Sequence, residues 1–224
     1  MKSAKNLGRT AGILLLLQLA AGLMIPFILM RPLIAGSPGF LTAAAESSLQ
    51  IRAAVLLAFV GSALTVSLGI LLFPVFRRHG SSAGLWLIAV CVVSCVLDAV
   101  HNATVMSMLS LSQEYVKQGA AEAGSYQAVG VAVAAARRWA HASQLVAVGG
   151  WLFVFYGSLL RFALIPRPLA ALGLIGVILQ FTGVTLMMLL GYRAIGEMAM
   201  PLLPIQITVA GWLIAKGFRE ENYA

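Results

Sequence analysis

The stretch LWLIAVCVVSCVLDAVHNATVMSMLSL, residues 85–111, decides how the rest of the chain is read. As a helix rising 1.5 Å per residue it is long enough to cross the roughly 30 Å hydrocarbon core of a bilayer. Only Asp98 and His101 interrupt its run of uncharged side chains. At 100° per residue, Cys91, Ser94, Cys95, Asp98, His101 and Asn102 fall within an arc of about 120°, and Val, Leu and Ala fill the positions between them. Holding an Asp at the centre of a membrane helix costs about 2.5–3.5 kcal/mol on insertion scales. A face carrying such a group must turn into a bundle or a wet cavity.

Similar apolar runs lie on both sides of this one. Spans are expected at about 10–34, 52–76, 85–111, 139–163, 168–192 and 198–217, within a single transmembrane domain covering residues 1–224. In lipid the backbone must satisfy its own hydrogen bonds, so these are helices. A β-barrel would need period-two alternation, which is absent. The expected architecture is an all-α, polytopic six-helix bundle. Composition agrees: 61% of residues are hydrophobic, 10% are charged, and mean hydropathy is +0.96, against about 25% charged residues in soluble domains. A net charge of +8 would suggest nucleic acid in a soluble protein. Here the basic residues flank the spans, so the expected partner is the lipid bilayer and not nucleic acid. Cys91 and Cys95, four apart on one helix, cannot bridge each other and are read as packing residues.

Met1–Lys5 followed by an apolar run looks like a signal peptide, but Gly12–Met30 is long enough to remain as a first span. His79-Gly80-Ser81-Ser82 and Ile165-Pro166-Arg167-Pro168 read as tight turns, making spans two and three, and four and five, antiparallel neighbours. The connectors Ala35–Ile51 and Glu114–Arg138 are longer. The second is Ala-rich, with Gly119, Gly124 and Gly130, and reads as an interfacial helix or a helical extension. Pro26 and Pro74 are expected to kink their spans. With the N-terminus inside, nine basic residues (Lys2, Lys5, Arg9, Arg77, Arg78, Arg161, Arg167, Lys216 and Arg219) lie on the cytoplasmic side. Six (Arg31, Arg52, Lys117, Arg137, Arg138 and Arg193) lie opposite. Both termini are therefore expected in the cytoplasm, and the location is a bacterial inner membrane, crossed several times.

Asp98 is expected near the midplane, with His101 and Asn102 about 5 Å toward the outer side. The fourth span adds His141 and Gln144, just inside its outer end. Tyr192–Glu197, Arg31 and Arg52 lie on the same side, which suggests a polar vestibule floored by Asp98 and His101. The candidate ligand- or proton-binding residues are thus Asp98, His101, Asn102, His141 and Gln144. In a low-dielectric setting, a carboxyl and an imidazole would share a proton and titrate as a pair. Asp98, His101 and His141 are also candidate metal ligands, and the two histidines could hold haem. Against both, His141 is expected about 10 Å nearer the outer surface than His101. No catalytic residue is assigned, and whether the chain is an enzyme is left open.

Structural roles compete with these. Ser94, Asn102, Gln18, Gln180 and Gln206 suit interhelical hydrogen bonds worth about 0.6 kcal/mol each. Arg137 and Arg138 read as a solvated or lipid-phosphate-facing pair, and Asn102-Ala103-Thr104 as an inert glycosylation sequon. Gly61, Gly69, Gly149, Gly150, Gly157, Gly173, Gly176 and Gly183 suit close helix crossings. The chain has no Gly-rich phosphate loop, His-Glu-x-x-His pattern, Gly-x-Ser-x-Gly elbow or basic recognition helix.

Phe155-Tyr156-Gly157-Ser158-Leu159-Leu160, Ile165-Pro166-Arg167-Pro168-Leu169-Ala170-Ala171-Leu172-Gly173 and Gly211-Trp212-Leu213-Ile214-Ala215-Lys216-Gly217 together resemble a bacterial membrane family known as domain of unknown function 4386. His141 matches a His near the start of the fourth span in that family. The resemblance implies a multi-span helical membrane protein and no activity. The leading functional expectation is binding or movement of a small ligand or proton at Asp98 and His101. The alternatives are a membrane-embedded metal- or haem-dependent enzyme, or an accessory or scaffold protein that pairs with itself or another membrane protein.

Overall fold

The computed structural model describes residues 4–34, 39–79, 82–118, 123–192 and 195–219. Among these, every regular element is helical and none is a strand. In chain order they are α1 (Ala4–Met24), a π-helical stretch (Ile25–Leu29), α2 (Arg31–Ile34), α3 (Phe40–Glu46), α4 (Ser48–His79), α5 (Ala83–Gln118), α6 (Ala123–Arg161), α7 (Arg167–Leu190), α8 (Ile195–Ala199) and α9 (Leu202–Lys216). Six stretches are long and apolar enough to cross a membrane: Lys5–Leu29, Ser48–His79, Ala83–Gln118, Ala123–Arg161, Arg167–Leu190 and Gly196–Lys216. The chain is a multi-pass, all-helical membrane protein. Large apolar side chains such as Phe27, Leu49, Leu56, Trp86 and Leu189 point outward, where lipid tails are the matching solvent.

Local chemistry explains the irregular points. Pro26 has no N–H to give, and its ring crowds the preceding turn. The helix widens there into the π-helical stretch, and Met30 N donates to Ile25 O at 2.8 Å, five residues back. Gln50 Nε2 then donates to the carbonyls of Ile28 (3.2 Å) and Leu29 (2.9 Å), which helix geometry alone would leave open. Pro74, by contrast, sits inside α4 without ending it. Helix α7 starts at Arg167-Pro168 and stops at Gly191, whose φ of 73° is the left-handed cap that favours glycine.

The chain divides into two compact units. The first comprises Met1–Leu19, Ala63–Cys95 and Leu145–Ala224. Its core is built around Phe76, Trp151, Phe155, Tyr156, Leu159 and Phe218. Gly149 faces Phe181 while Gly173 faces Tyr156, so α6 and α7 run antiparallel. Gly69 faces Cys91 while Gly84 faces Phe73, so α4 and α5 do too. These are the neighbour pairs expected from the turns. Gln18 Nε2 donates to Thr65 Oγ1 at 2.8 Å and Gln180 Nε2 to Leu145 O at 3.3 Å, so both glutamines join helices as expected. The second unit comprises Ala20–Ser62 and Val96–Gln144, with Met30, Phe40, Leu41, Ile51, Val105 and Met108 in its core. The connector expected at Ala35–Ile51 holds α3, whose Phe40 and Leu41 are buried, and Ser112 Oγ donates to Leu41 O at 2.6 Å. Of the residues used above, Met1, Lys2, Ala35, Gly80, Ser81, Gly119, Arg193, Ala194 and Ala224 lie outside the described ones.

The glycines do not all serve helix crossings. A Cβ on Gly173 would lie 2.3 Å from the Tyr156 ring, whereas Gly150 and Gly157 have nothing within 4 Å. Gly173→Ala is therefore expected to lower stability by about 1–3 kcal/mol through overpacking. Gly157→Ala should be neutral, or stabilising by about 0.5–1 kcal/mol, because it restricts the unfolded chain. Thermal unfolding in detergent compares the two; equal losses would refute the Gly173 contact.

Candidate functional site

Helix α5 presents two different surfaces to its surroundings. Val96 and Val100 are 56% and 49% exposed, whereas Asp98, His101 and Asn102 are 8%, 5% and 1% exposed. The polar arc thus turns inward, and all three residues belong to the second unit.

Two side chains meet the Asp98 carboxylate, one on each oxygen. Ser62 Oγ, from α4, donates to Oδ2, and Gln144 Nε2, from α6, donates to Oδ1. The orientation of Gln144 fixes more of the chain of bonds. With its amide nitrogen on the carboxylate, its Oε1 faces His141 Nδ1 at 3.1 Å, so that ring nitrogen carries the proton and donates. The His141 ring lies against His101, with centroids 5.0 Å apart and planes 40° apart. One continuous polar array therefore runs Ser62, Asp98, Gln144, His141, His101.

This array corrects the expected offset between His141 and His101. The fourth span was expected to start at residue 139, which would put His141 at its outer end. Instead α6 starts at Ala123, and the Ala-rich stretch before Trp139 is its first four turns. His101 lies 17 residues before the end of α5 and His141 lies 18 residues after the start of α6. At 1.5 Å per residue both are about 26 Å from the connection between the helices. The three-residue step from Asp98 to His101 is matched by the step back from Gln144 to His141, as antiparallel neighbours require. The 10 Å offset does not exist.

The removal of that offset does not complete a metal site. Among the described residues, no three or more His, Cys, Asp and Glu side chains are grouped to hold a metal ion. Asp98 already accepts on both oxygens. Nor does haem fit between the histidines, because the two rings touch and leave no gap for a macrocycle.

Two participants escaped the sequence reading. Ser62 is one: a hydroxyl in a span is unremarkable, since it can bond back to the carbonyl four residues earlier, as Ser62 also does to Ala58 O at 3.2 Å. Arg137 is the other. Its neighbour Arg138 is exposed, but Arg137 is half-buried and within electrostatic reach of both His101 and His141. The available signal was spacing: Arg137, His141 and Gln144 share one helix face. Asn102, read as interhelical glue, has no hydrogen-bond partner on either amide atom among the described residues. The expected vestibule residues Arg31, Arg52, Tyr192 and Glu197 are all exposed.

A family model described as domain of unknown function (DUF4386) matches residues 10–217, nearly the whole chain. No curated protein and no solved structure matches it.

If the carboxylate is held as described, Asp98→Ala and Gln144→Ala are coupled. A double-mutant cycle on unfolding in detergent is expected to give an interaction energy of about 0.6–1.7 kcal/mol. Strictly additive losses would mean that the two side chains do not meet.

Proposed function

The chain belongs to the family described as domain of unknown function 4386, and from the geometry of its buried carboxylate we propose that it binds or moves a small ligand or proton at Asp98, with His101, Asn102, His141 and Gln144 completing the site. The observation that carries this reading is the position of the Ser62 hydroxyl. It lies within bonding distance of both Asp98 Oδ2 and Ala58 O. When Asp98 is a carboxylate, the hydroxyl donates to it. When Asp98 is protonated, the carboxyl O–H donates to Ser62 Oγ, and Ser62 turns its own proton to the Ala58 carbonyl. Both charge states are satisfied with the same heavy-atom positions, as suits a group whose charge changes during its task. A purely structural Asp needs only one.

The proposed setting is a bacterial inner membrane with both termini in the cytoplasm, supported by nine basic residues on that side against six on the other. A second reading, a metal-dependent enzyme, draws support from the contact between His101 and His141. It lacks a third ligand among the described residues.

Reconstituted into vesicles with a trapped pH dye, the protein is expected to pass protons, alone or with a co-substrate. Asp98→Asn should cut that flux at least about tenfold, since the amide cannot ionise and the contribution of a charge-assisted bond is lost. Ser62→Ala should cut it less. Flux and ligand-induced stability shifts unchanged in both Asp98→Asn and Asp98→Ala would remove the proposal. Metal analysis decides the second reading: one zinc or iron per chain, lost in His101→Ala and His141→Ala, would favour the enzyme.

A further inference from the structure

Among the described residues, six buried side-chain nitrogen or oxygen atoms have no hydrogen-bond partner, and four of them belong to His101, the next residue Asn102, and Arg137, which is within electrostatic reach of His101. They are His101 Nε2, both amide atoms of Asn102, and Arg137 Nε. Buried polar groups are ordinarily paired, and each one left open costs about as much as a lost hydrogen bond. A concentration of open groups beside a half-buried arginine is what a bound ligand would satisfy. His101 and Asn102 are both more than nine-tenths buried.

The charges indicate which sign of ligand. Among the described residues Arg137 is in no ion pair, and Lys117 pairs with Glu114 at 2.7 Å. The only carboxylate in the polar array, Asp98, is engaged by Ser62 and Gln144. Arg137 and Asn102 Nδ2 are thus left to offer donors, around a positive charge, to something that accepts, and His101 Nε2 adds a third in the tautomer that protonates it. A metal cation would meet repulsion from Arg137. Asn102 Oδ1 adds one requirement, a donor next to the accepting group.

An open groove of about 520 Å³ runs along the seam of α5 and α6, lined by Met106, Ser107, Ser110, Glu114, Tyr126 and Val133. Met106 is one helical turn from Asn102, and Val133 is one turn from Arg137. Glu114, the carboxylate in that groove, is paired with Lys117.

We propose that Arg137, His101 and Asn102 form the anion-holding end of this site, and that its ligand carries an oxyanion with a hydroxyl beside it. The proposal rests on the reading of the Asp98 cluster as a binding site and names the ligand class. That chemistry occurs in a water-soluble 2-hydroxy acid and in the headgroup of phosphatidylglycerol, so the test keeps the sources apart.

Delipidated protein in neutral detergent is titrated with lactate, with acetate as the analogue lacking the hydroxyl, and separately with phosphatidylglycerol against phosphatidylcholine, following thermal unfolding. A saturable rise with lactate exceeding that with acetate would identify a soluble ligand. A saturable rise with phosphatidylglycerol alone would identify a lipid. In either case Arg137→Gln should weaken the effect at least tenfold, the loss expected for one charge-assisted hydrogen bond. Arg138→Gln, which removes the same charge from an exposed position, should leave it intact. Asn102→Asp, nearly isosteric, should abolish it, and decides the matter if Arg137→Gln does not fold. Absence of a saturable effect with either probe, or an equal effect in Arg137→Gln and Arg138→Gln, overturns the proposal. If Arg137→Gln keeps the shift while Asp98→Asn loses proton flux, this inference falls and the Asp98 reading stands. If Arg137→Gln loses the shift while Asp98→Asn keeps its flux, the anion site stands and proton movement at Asp98 falls.

Discussion

A carboxylate withdrawn from water must find its hydrogen bonds inside the protein, and the second unit is organised around that requirement. Placing Asp98 in a span costs about 2.5–3.5 kcal/mol. Two interhelical bonds at an average of about 0.6 kcal/mol each return about 1.2 kcal/mol, less than half of it. One donor comes from α4 and the other from α6, so the group that strains the fold also ties its helices together. Whatever task Asp98 has, its surroundings are built to keep it.

The pairing of α5 with α6 sets the geometry of everything attached to them. Both helices exceed what a bilayer demands: 36 and 39 residues amount to about 54 and 58 Å, against a hydrocarbon core of roughly 30 Å. The long hairpin keeps the two helices in one antiparallel register over many turns. Tyr115 and Tyr126 meet near its end with ring centroids 6.0 Å apart, and His101 and His141 meet deep within it. Register therefore places Gln144 on Asp98 and brings Arg137 close to the imidazoles. These contacts follow from helix length as much as from residue choice.

Much of this was legible in the sequence, and the failures have a common cause. Hydrocarbon thickness imposes a length on apolar runs, so the six spans could be read directly. The inward turn of Asp98, His101 and Asn102 followed from the cost of exposing them to lipid. Helix ends were not legible in this way. Arg137 and Arg138 end a hydropathy window without ending a helix, since Ala-rich sequence continues it at little cost. Taking the arginines for a boundary displaced His141 by about two turns and assigned Arg137 to solvent or lipid phosphate. Ser62 was hidden for a different reason: a serine costs a span so little that nothing in its own neighbourhood marks it, and only its partner's need reveals it.

The π-helical stretch at Pro26 has one further consequence. Its open carbonyls are taken by Gln50, a neutral amide, so the first and second spans are clasped there without any charge. Neither ionic strength nor acidity has a charge to act on in such a clasp. The junction of the first two spans is thus held by groups that keep their charge state across the pH range in which carboxylates and imidazoles titrate.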